Sequence, residues 1–268
     1  MSNTATHPAL HVRRQGAVLI LSINNPGARN ALSSELYAAL VQALEDAEDD
    51  SEVGAIVLTG EGGHFCSGGD LRQLATRHTM TPLERRSNLE QLNTTVRALR
   101  RCPKPVVAAI EGAAAGAGVS IALACDMLVA ARDSRFSVAY VKIGLTPDGG
   151  VTSLLAESLS RSAMAELCLT GAVVSGERLY QLGAVNRSVE PGHALEQALE
   201  LADQLAGGPP IAIAHIKHLC NTAKRNSFDE QIQLESRYMA EAQGRAEARE
   251  GIAAFREKRK ADYRVLQP

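Results

Sequence analysis

The sequence contains no tryptophan, and aromatic residues make up only 3% of it, as four phenylalanines and five tyrosines. Few aromatic side chains leave few surfaces on which nucleic-acid bases could stack, and little material for an aromatic belt at a membrane interface. Neither sign of charge dominates, because 30 acidic residues stand against 28 basic residues and the formal net charge is −2. A nucleic-acid-binding protein usually carries a clear basic excess. We therefore expect no nucleic-acid partner.

The sequence also lacks paired cysteines and long apolar runs. Its five cysteines are scattered, with no C-x-x-C pair and no histidines at zinc spacing, so we expect reduced thiols and no metal site. The most apolar stretch, residues 105–131, is interrupted by Glu111 and Asp126 and cannot supply about 20 uninterrupted apolar residues for a membrane span. Residues 1–15 show no apolar run typical of a signal peptide. These absences predict a cytoplasmic protein without a membrane partner.

What is present is an alternation of apolar strands and amphipathic helices over 268 residues, of which 45% are hydrophobic. This alternation predicts an α/β protein whose parallel sheet is covered on both faces. Strands are predicted at 17–23, 53–59, 105–110 and 127–131, and helices at 33–47 and 81–101. The last third is predicted to be helical at 160–182, 193–206, 210–224 and from 227 onward. We thus divide the chain into an α/β core at 1–205 and a helical C-terminal region at 206–268.

Two glycine-rich segments share one design. Residues 64–71 (HFCSGGDL) and residues 111–118 (EGAAAGAG) each follow a predicted strand and lead into a predicted helix. Free backbone N–H groups at the start of a helix favour negative charge. Two such segments brought together could form an oxyanion hole, in which backbone donors stabilise charge on a carbonyl oxygen. Each segment alone is also compatible with a tight turn that serves no chemistry.

The second segment allows two other interpretations. Residues 116–121 begin like a dinucleotide-binding fingerprint, but Ile121 stands where the third small residue is required. Residues 118–122 resemble a nucleophile elbow, which would make Ser120 a hydrolase nucleophile. A triad would further need a histidine and an acid close in space. We consider both interpretations weak.

A third segment, residues 136–150 (FSVAYVKIGLTPDGG), places Asp148 after a proline and before two glycines. A carboxylate at such a position can cap the next helix or project into a cleft, and the segment alone does not decide between them. Three other polar residues receive structural interpretations. His64 is predicted to be a turn residue, and Lys217 and Lys224 are predicted to lie on solvated helix faces.

The three segments, in this order and spacing, resemble the enoyl-CoA hydratase/isomerase (crotonase) family, together with NPGARNAL at 25–32 and KPVVAAI at 104–110. The resemblance covers essentially the whole chain. It implies a spiral of ββα units followed by a helical C-terminal region that trimerises, so the partners would be an acyl-CoA thioester and further copies of the chain in a homotrimer or hexamer. It also implies an enolate formed at the thioester oxygen, and no cofactor, since coenzyme A is part of the substrate.

The resemblance assigns roles to individual residues. The two oxyanion N–H groups fall on Gly69 and Ala117, and Tyr140 would shape or hydrogen-bond the acyl pocket. The remaining implied substrate contacts are Ala28, Ser67, Asp70, Leu71, Ser120 and Gly144, with Phe255 and Lys258 reaching the coenzyme A of a neighbouring subunit. Asp70 is also a candidate helix cap.

This sequence departs from the family pattern at both hydratase glutamates, whose positions hold Ser120 and Tyr140. Neither side chain can act as a carboxylate base. Asp148 remains, and the LTPDGG string resembles ring-epoxide isomerases of phenylacetate breakdown, which carry a lone catalytic aspartate there. We therefore expect a double-bond or ring isomerase with Asp148 as its single acid/base. The alternatives are a hydratase, a hydrolase of the thioester or ring, and a non-catalytic acyl-CoA-binding scaffold.

Overall fold

The computed structural model describes residues 5–263, so the outermost residues of the two predicted regions lie outside it. The strands are Ala5–His7 (β1), Leu10–Gln15 (β2), Val18–Ile23 (β3), Ala55–Gly60 (β4), Val106–Ile110 (β5), Ala113–Ala115 (β6), Met127–Ala131 (β7), Arg135–Ser137 (β8), Val173–Ser175 (β9) and Arg187–Val189 (β10). The helices are Ser34–Asp49 (α1), Leu71–Thr76 (α2), Pro82–Arg101 (α3), Ala117–Ala124 (α4), Val151–Ser158 (α5), Arg161–Thr170 (α6), Gly176–Gln181 (α7), Ala194–Ala206 (α8), Pro210–Thr222 (α9), Phe228–Gln243 (α10) and Ala246–Glu257 (α11).

The larger sheet has seven strands in the order β1-β2-β3-β4-β5-β7-β10. Strands β3, β4, β5, β7 and β10 pair in parallel, which confirms the predicted parallel sheet. At one edge β1, β2 and β3 pair antiparallel. Strands β1 and β2 were not predicted, because β2 is largely polar and exposed and lacks the buried apolar pattern of the central strands.

A smaller sheet of β6, β8 and β9 lies beside the large one. The chain repeatedly contributes one strand to the large sheet, one pairing segment to the small sheet and then a helix. The two clearest repeats are β5-β6-α4 and β7-β8 followed by α5, and an isolated bridge between Cys66 and Ala114 adds the segment after β4. This is the predicted spiral of ββα units.

Two details of the prediction were wrong. Residues 111–118 are not entirely loop, because β6 pairs there with β8. Residues 160–182 are not one helical stretch, because α6 ends at Gly171, whose positive φ of 59° closes the helix, and β9 intervenes before α7. A residue with φ > 0 ends a helix by turning the backbone away from the helical path. In contrast, the helix starts predicted at residues 33, 81 and 227 are confirmed, and the side chains of Ser33, Thr81 and Ser227 cap these helices.

The strands of the large sheet bury side chains on both faces. One face packs against α1, α3 and α4, and the other packs against α8. Alternate residues of β4 separate cleanly, since Ile56 and Leu58 belong to one cluster and Ala55 and Val57 to the other. Side chains alternate between the faces of a strand, and burial on both sides explains why these strands are continuously apolar.

The prediction for Lys217 was wrong. Lys217 was predicted to lie on a solvated helix face, but it is only 8% exposed. Its Nζ lies 2.7 Å from Oδ2 of Asp126 and donates to the main-chain oxygens of Leu99 and Lys104. Asp126 in turn accepts from the N–H of Val106. The pair therefore ties α9 to α3 and to the start of β5. Lys224 is exposed as predicted, but it lies after the end of α9, and its Nζ donates to the main-chain oxygens of Ala156 and Glu157.

Lys217→Met is expected to lower the free energy of unfolding by about 3–5 kcal/mol, because it leaves the Asp126 carboxylate buried without its cation. Denaturant unfolding followed by circular dichroism measures this loss. Lys260→Met is the matched control and should cost less than about 1 kcal/mol, because Lys260 is exposed. Combining Lys217→Met with Asp126→Asn should recover part of the loss, because the amide is neutral and can still accept from Val106 N–H. Equal stability of Lys217→Met and wild type would contradict the prediction.

The five cysteines are free thiols, and Cys66, Cys102 and Cys125 are buried. Within residues 5–263, no group of three or more metal-ligating side chains is close enough to hold an ion. In the same part of the chain, no helix has the length and apolar character needed to cross a membrane.

Candidate active site

The two glycine-rich segments meet at the carboxyl ends of the parallel strands of the large sheet. They follow β4 and β5, which are adjacent parallel strands, so both leave the sheet at the same end. Hydrogen bonds then join them along their length: Phe65 N–H donates to the Glu111 oxygen at 3.0 Å, Cys66 N–H to the Ala113 oxygen at 3.0 Å, and Ala115 N–H to the Cys66 oxygen at 2.9 Å. The juxtaposition that the sequence only suggested is therefore real.

Close backbone contact explains why small residues occupy these segments. A Cβ on Gly68 would lie 2.6 Å from the Ala115 oxygen and 3.3 Å from Ala117 N, and φ of Gly68 is 86°. Any larger residue at this position would clash with the other loop and adopt an unfavourable backbone conformation. The glycine thus lets the segment leading to Gly69 lie directly against the first residue of α4.

The two predicted oxyanion donors are free for this role. Ala117 is the first residue of α4, where backbone N–H groups lack partners within the helix. Among residues 5–263, neither Gly69 N–H nor Ala117 N–H donates to a protein acceptor. Two unpaired donors next to each other at a helix N-terminus can stabilise a carbonyl oxygen as it gains negative charge.

Residues 28–30 support the glycine-rich loop at residues 64–71. Ser67 Oγ donates to the Ala28 oxygen at 3.1 Å, and Ser67 N–H donates to the Arg29 oxygen at 3.0 Å. Asn30 is fully buried, and its side-chain amide donates to the oxygens of Glu61 and His64. The structure therefore brings together Ala28 and Ser67, two of the predicted substrate contacts.

Asp148 points toward the same region and does not cap a helix. The cap position of α5 is Gly150, and no side chain makes the cap hydrogen bond there. Instead, Tyr140 Oη donates to Oδ1 of Asp148 at 2.6 Å. A Cβ on Gly116 would lie 3.9 Å from Cζ of Tyr140, so the phenol ring is next to the start of α4. Of the two interpretations of Asp148, the helix cap is therefore excluded.

Ser120 lies beneath the Asp148 segment. It is fully buried, and its Oγ donates to the main-chain oxygen of Asp148 at 3.1 Å. A Cβ on Gly149 would lie 2.9 Å from Cβ of Ser120, so the backbone rests directly on this side chain. A buried hydroxyl engaged with a main-chain carbonyl is not an exposed nucleophile, and the nucleophile-elbow interpretation fails.

The surroundings perturb the titration of this group of side chains. Burial raises the pKa of Asp148, while the hydrogen bond from Tyr140 and the positive charge of Arg77 act in the opposite direction. Burial also raises the pKa of Tyr140, and the nearby Asp148 charge raises it further. A carboxyl with a raised pKa and a neutral hydrogen-bonding phenol are suited to proton transfer near neutral pH.

Two side chains that act on this site were not predicted. Arg77, in the turn after α2, and Tyr37, on α1, both interact electrostatically with Asp148. Burial raises the pKa of Tyr37, and the Asp148 charge adds to this effect. No spacing in the sequence connects these positions with Asp148, because they come from different elements.

The other predicted contacts lie around this centre or on the C-terminal helices. Asp70 caps α2 by accepting from Arg72 N–H at 2.8 Å, which confirms the cap interpretation. Leu71 is exposed at the start of α2, and Gly144, with φ of 70°, ends a short 3₁₀ turn. Phe255 and Lys258 lie at the end of α11, where Phe255 is 85% exposed.

His64 was predicted to be a turn residue, but its backbone is extended and its side chain lies between the two loops. Its Nδ1 accepts from Ala113 N–H at 3.3 Å and lies close to Gly112, where a Cβ would be 2.5 Å away from this atom. The imidazole therefore helps to hold the two loops together.

Comparisons with known proteins agree on one family. The enoyl-CoA hydratase/isomerase family model matches residues 13–265. The chain is 35% identical to 1,2-epoxyphenylacetyl-CoA isomerase of Escherichia coli K12 over 254 residues, which are 94% of this chain and 96% of that protein. It is 32% identical to 2,3-dehydroadipyl-CoA hydratase of the same bacterium over 255 residues, which are 95% of this chain and 98% of that protein.

Solved structures show the same relationship. A crystal structure of an enoyl-CoA hydratase from Polaromonas sp. JS666 is similar with a TM-score of 0.92 and 42% sequence identity, covering 94% of this chain and 98% of that one. A putative enoyl-CoA hydratase from Streptomyces coelicolor A3(2) gives a TM-score of 0.91 at 32% identity, with 98% of both chains covered. The α/β spiral and the C-terminal helices are thus shared over nearly the whole length.

Proposed function

The chain belongs to the enoyl-CoA hydratase/isomerase family, and from this premise we propose that it isomerises an unsaturated or aromatic-derived acyl-CoA with Asp148 as its single acid/base. The observation that carries the proposal is the position of the Asp148 carboxyl, hydrogen-bonded to Tyr140 and next to the start of α4. The two positions at which the family resemblance expects hydratase glutamates hold Ser120 and Tyr140 instead.

The proposed reaction needs one base that becomes the acid. The thioester oxygen accepts hydrogen bonds from the N–H groups of Gly69 and Ala117, which makes the neighbouring carbon positions more acidic. The Asp148 carboxylate removes a proton from the α or γ carbon, and the electron pair moves into a dienolate held at the oxygen. The same carboxyl then returns the proton to a different carbon, so the double bond or ring has moved and the composition is unchanged.

The substrate contacts in this proposal surround that centre. Ala28, Ser67, Asp70, Leu71 and Gly144 lie on segments that would line the coenzyme A channel, and no further cofactor takes part. Tyr140 and Ser120 lie on the acyl side. Phe255 and Lys258 would reach the coenzyme A of a neighbouring subunit, which the exposure of Phe255 permits.

We propose a homotrimer or hexamer as the assembly. The C-terminal helices leave large apolar side chains exposed, among them Phe228 at 79% and Phe255 at 85%. In the proposed assembly, neighbouring copies of the chain would cover these side chains. Light scattering that gives the monomer mass of 28.5 kDa would rule out both assemblies.

A second candidate is hydration, in which Asp148 alone activates water. The observation that favours it is the name of one similar protein, 2,3-dehydroadipyl-CoA hydratase. The isomerase named among the similar proteins, 1,2-epoxyphenylacetyl-CoA isomerase, favours the first candidate. The two reactions differ in product mass, since hydration adds one water molecule and isomerisation adds nothing.

The test is a turnover assay of the purified protein with crotonyl-CoA, a 3-enoyl-CoA and an aromatic ring-epoxide CoA, with products identified by mass spectrometry. We expect a product of unchanged mass from one of the unsaturated or epoxide substrates. In D₂O the same product should gain deuterium, because the carboxyl exchanges its proton with solvent. A product heavier by one water would support hydration, release of free coenzyme A would support hydrolysis, and no turnover of any substrate would favour a non-catalytic scaffold.

A further inference from the structure

We propose that Tyr140 is a positioning residue that acts through Asp148, holding its Oδ1 atom so that Oδ2 alone exchanges the proton with the substrate. This inference rests on the proposed function, because it concerns how the single acid/base is held. The observation behind it is the 2.6 Å hydrogen bond from the buried phenol to Oδ1. Within residues 5–263, no donor is hydrogen-bonded to Oδ2.

The contact belongs to a short, ordered segment. Tyr140 lies in the 3₁₀ turn Ala139–Ile143, and its main-chain oxygen accepts from Leu145 N–H at 3.0 Å. Asp148 follows eight residues after Tyr140, and its own main-chain oxygen accepts from Ser120. The carboxyl is therefore fixed from two sides, by a phenol at the side chain and by a hydroxyl at the backbone.

Fixing one oxygen matters because proton transfer depends on geometry. A carboxyl that rotates freely presents either oxygen and spends only part of its time aligned with the reacting carbon. A hydrogen bond from a neutral phenol holds the orientation without placing a second charge at the site. Tyr140 remains neutral because burial and the Asp148 charge raise its pKa well above the ordinary value of a phenol.

Few other groups at the site change charge near neutral pH. Tyr37 and Cys66 remain neutral, since burial raises the pKa of the Tyr37 phenol and raises that of the Cys66 thiol to about 12. Asp148 is thus the group whose ionisation should set the acidic limb of the pH–rate profile. The phenol stabilises the carboxylate form and lowers this pKa, against the effect of burial.

Tyr140→Phe tests the inference, since it removes the hydroxyl and keeps the ring. The acidic limb of kcat/KM, measured with the acyl-CoA isomerised in the assay above, should move to higher pH by about one unit, the value of one hydrogen bond to a charged group. At neutral pH kcat should fall about tenfold through lost orientation. Tyr180→Phe is the matched control, because Tyr180 is exposed on α7, and its profile should be unchanged.

Two further measurements separate positioning from a general structural effect. In the Asp148→Asn background, adding Tyr140→Phe should cause little further loss, because a residue that acts through Asp148 has nothing left to position. Carbon-13 NMR of labelled aspartate should show the same upward movement of the Asp148 pKa in unliganded Tyr140→Phe protein.

The outcomes distinguish this inference from the proposed function. Wild-type turnover by Asp148→Asn would remove the proposed function and the inference with it. If Asp148→Asn is inactive while Tyr140→Phe keeps the wild-type limb and the wild-type Asp148 pKa, only the inference is overturned. The inference is also overturned if the activity losses of Asp148→Asn and Tyr140→Phe multiply in the double variant.

Discussion

Asp148→Asn is expected to lower kcat about a thousandfold, within the range typical of a positioned general acid–base group. Asparagine has nearly the same shape and can still accept the hydrogen bond from Tyr140, but it cannot take up a proton. The measurement is single-turnover kinetics with the acyl-CoA that wild-type protein isomerises, together with loss of deuterium incorporation from D₂O. Substrate binding should be little changed, because the loops that we propose to hold the thioester are untouched.

The fold should tolerate this change. Burial raises the pKa of Asp148 above its unfolded value, so ionisation of this carboxyl works against folding at pH values above the unfolded pKa. A neutral asparagine removes that penalty, and the melting temperature at neutral pH should be equal or slightly higher. Asp133→Asn, at an exposed position after β7, is the matched control and should keep full activity. Asp148→Asn protein with wild-type turnover would refute the one-acid mechanism.

Ala117→Pro is expected to lower kcat about a hundredfold or more, the usual effect of removing one oxyanion donor. A side-chain substitution cannot normally delete a backbone N–H, but proline does so. Ala117 is the first residue of α4, where proline is well accepted because its fixed φ suits the helix and no intrahelical hydrogen bond is lost. The substitution thus removes the donor and leaves the helix start in place.

Two controls make the Ala117→Pro result specific. Ala117→Gly retains the N–H and should retain activity. Arg161→Pro places proline at the first residue of α6, which is exposed, and should change neither activity nor melting temperature. If Ala117→Pro folds with a wild-type melting temperature and turns over at the wild-type rate, the Ala117 N–H is not an oxyanion donor.

Much of the fold follows from local patterns in the sequence. The central strands are continuously apolar because both faces of the sheet are covered, and the helix starts at Ser33, Thr81 and Ser227 carry side chains that cap the first turn. Local sequence patterns did not predict the secondary structure where pairing with distant segments decides it. Strand β9 has only three residues, too few to show a strand period, and its pairing with β8 sets it apart from the helices on either side.

For the candidate site too, some features follow from the sequence and others depend on packing. The sequence by itself determined which chemical groups are available: two glycine-rich segments that open helices, a serine and a tyrosine where carboxylates would be expected, and one aspartate between a proline and two glycines. It could not determine what Asp148 does, because a carboxylate in that setting can equally cap a helix or enter a cleft. It also could not show that Lys217 is buried, because its partner Asp126 is far away in the sequence.

Only the tertiary structure decided these points. The parallel pairing of β4 with β5 brings the Gly69 and Ala117 donors to one edge of the sheet, and close packing of Gly68 on Ala117 holds them there. The Asp148 carboxyl accepts from Tyr140 and makes no hydrogen bond to the first turn of α5, which excludes the cap. The physical reason is that residue types and local spacing fix hydrogen-bonding capacity and helix starts, whereas hydrogen-bond partners and burial depend on packing between segments distant in the chain.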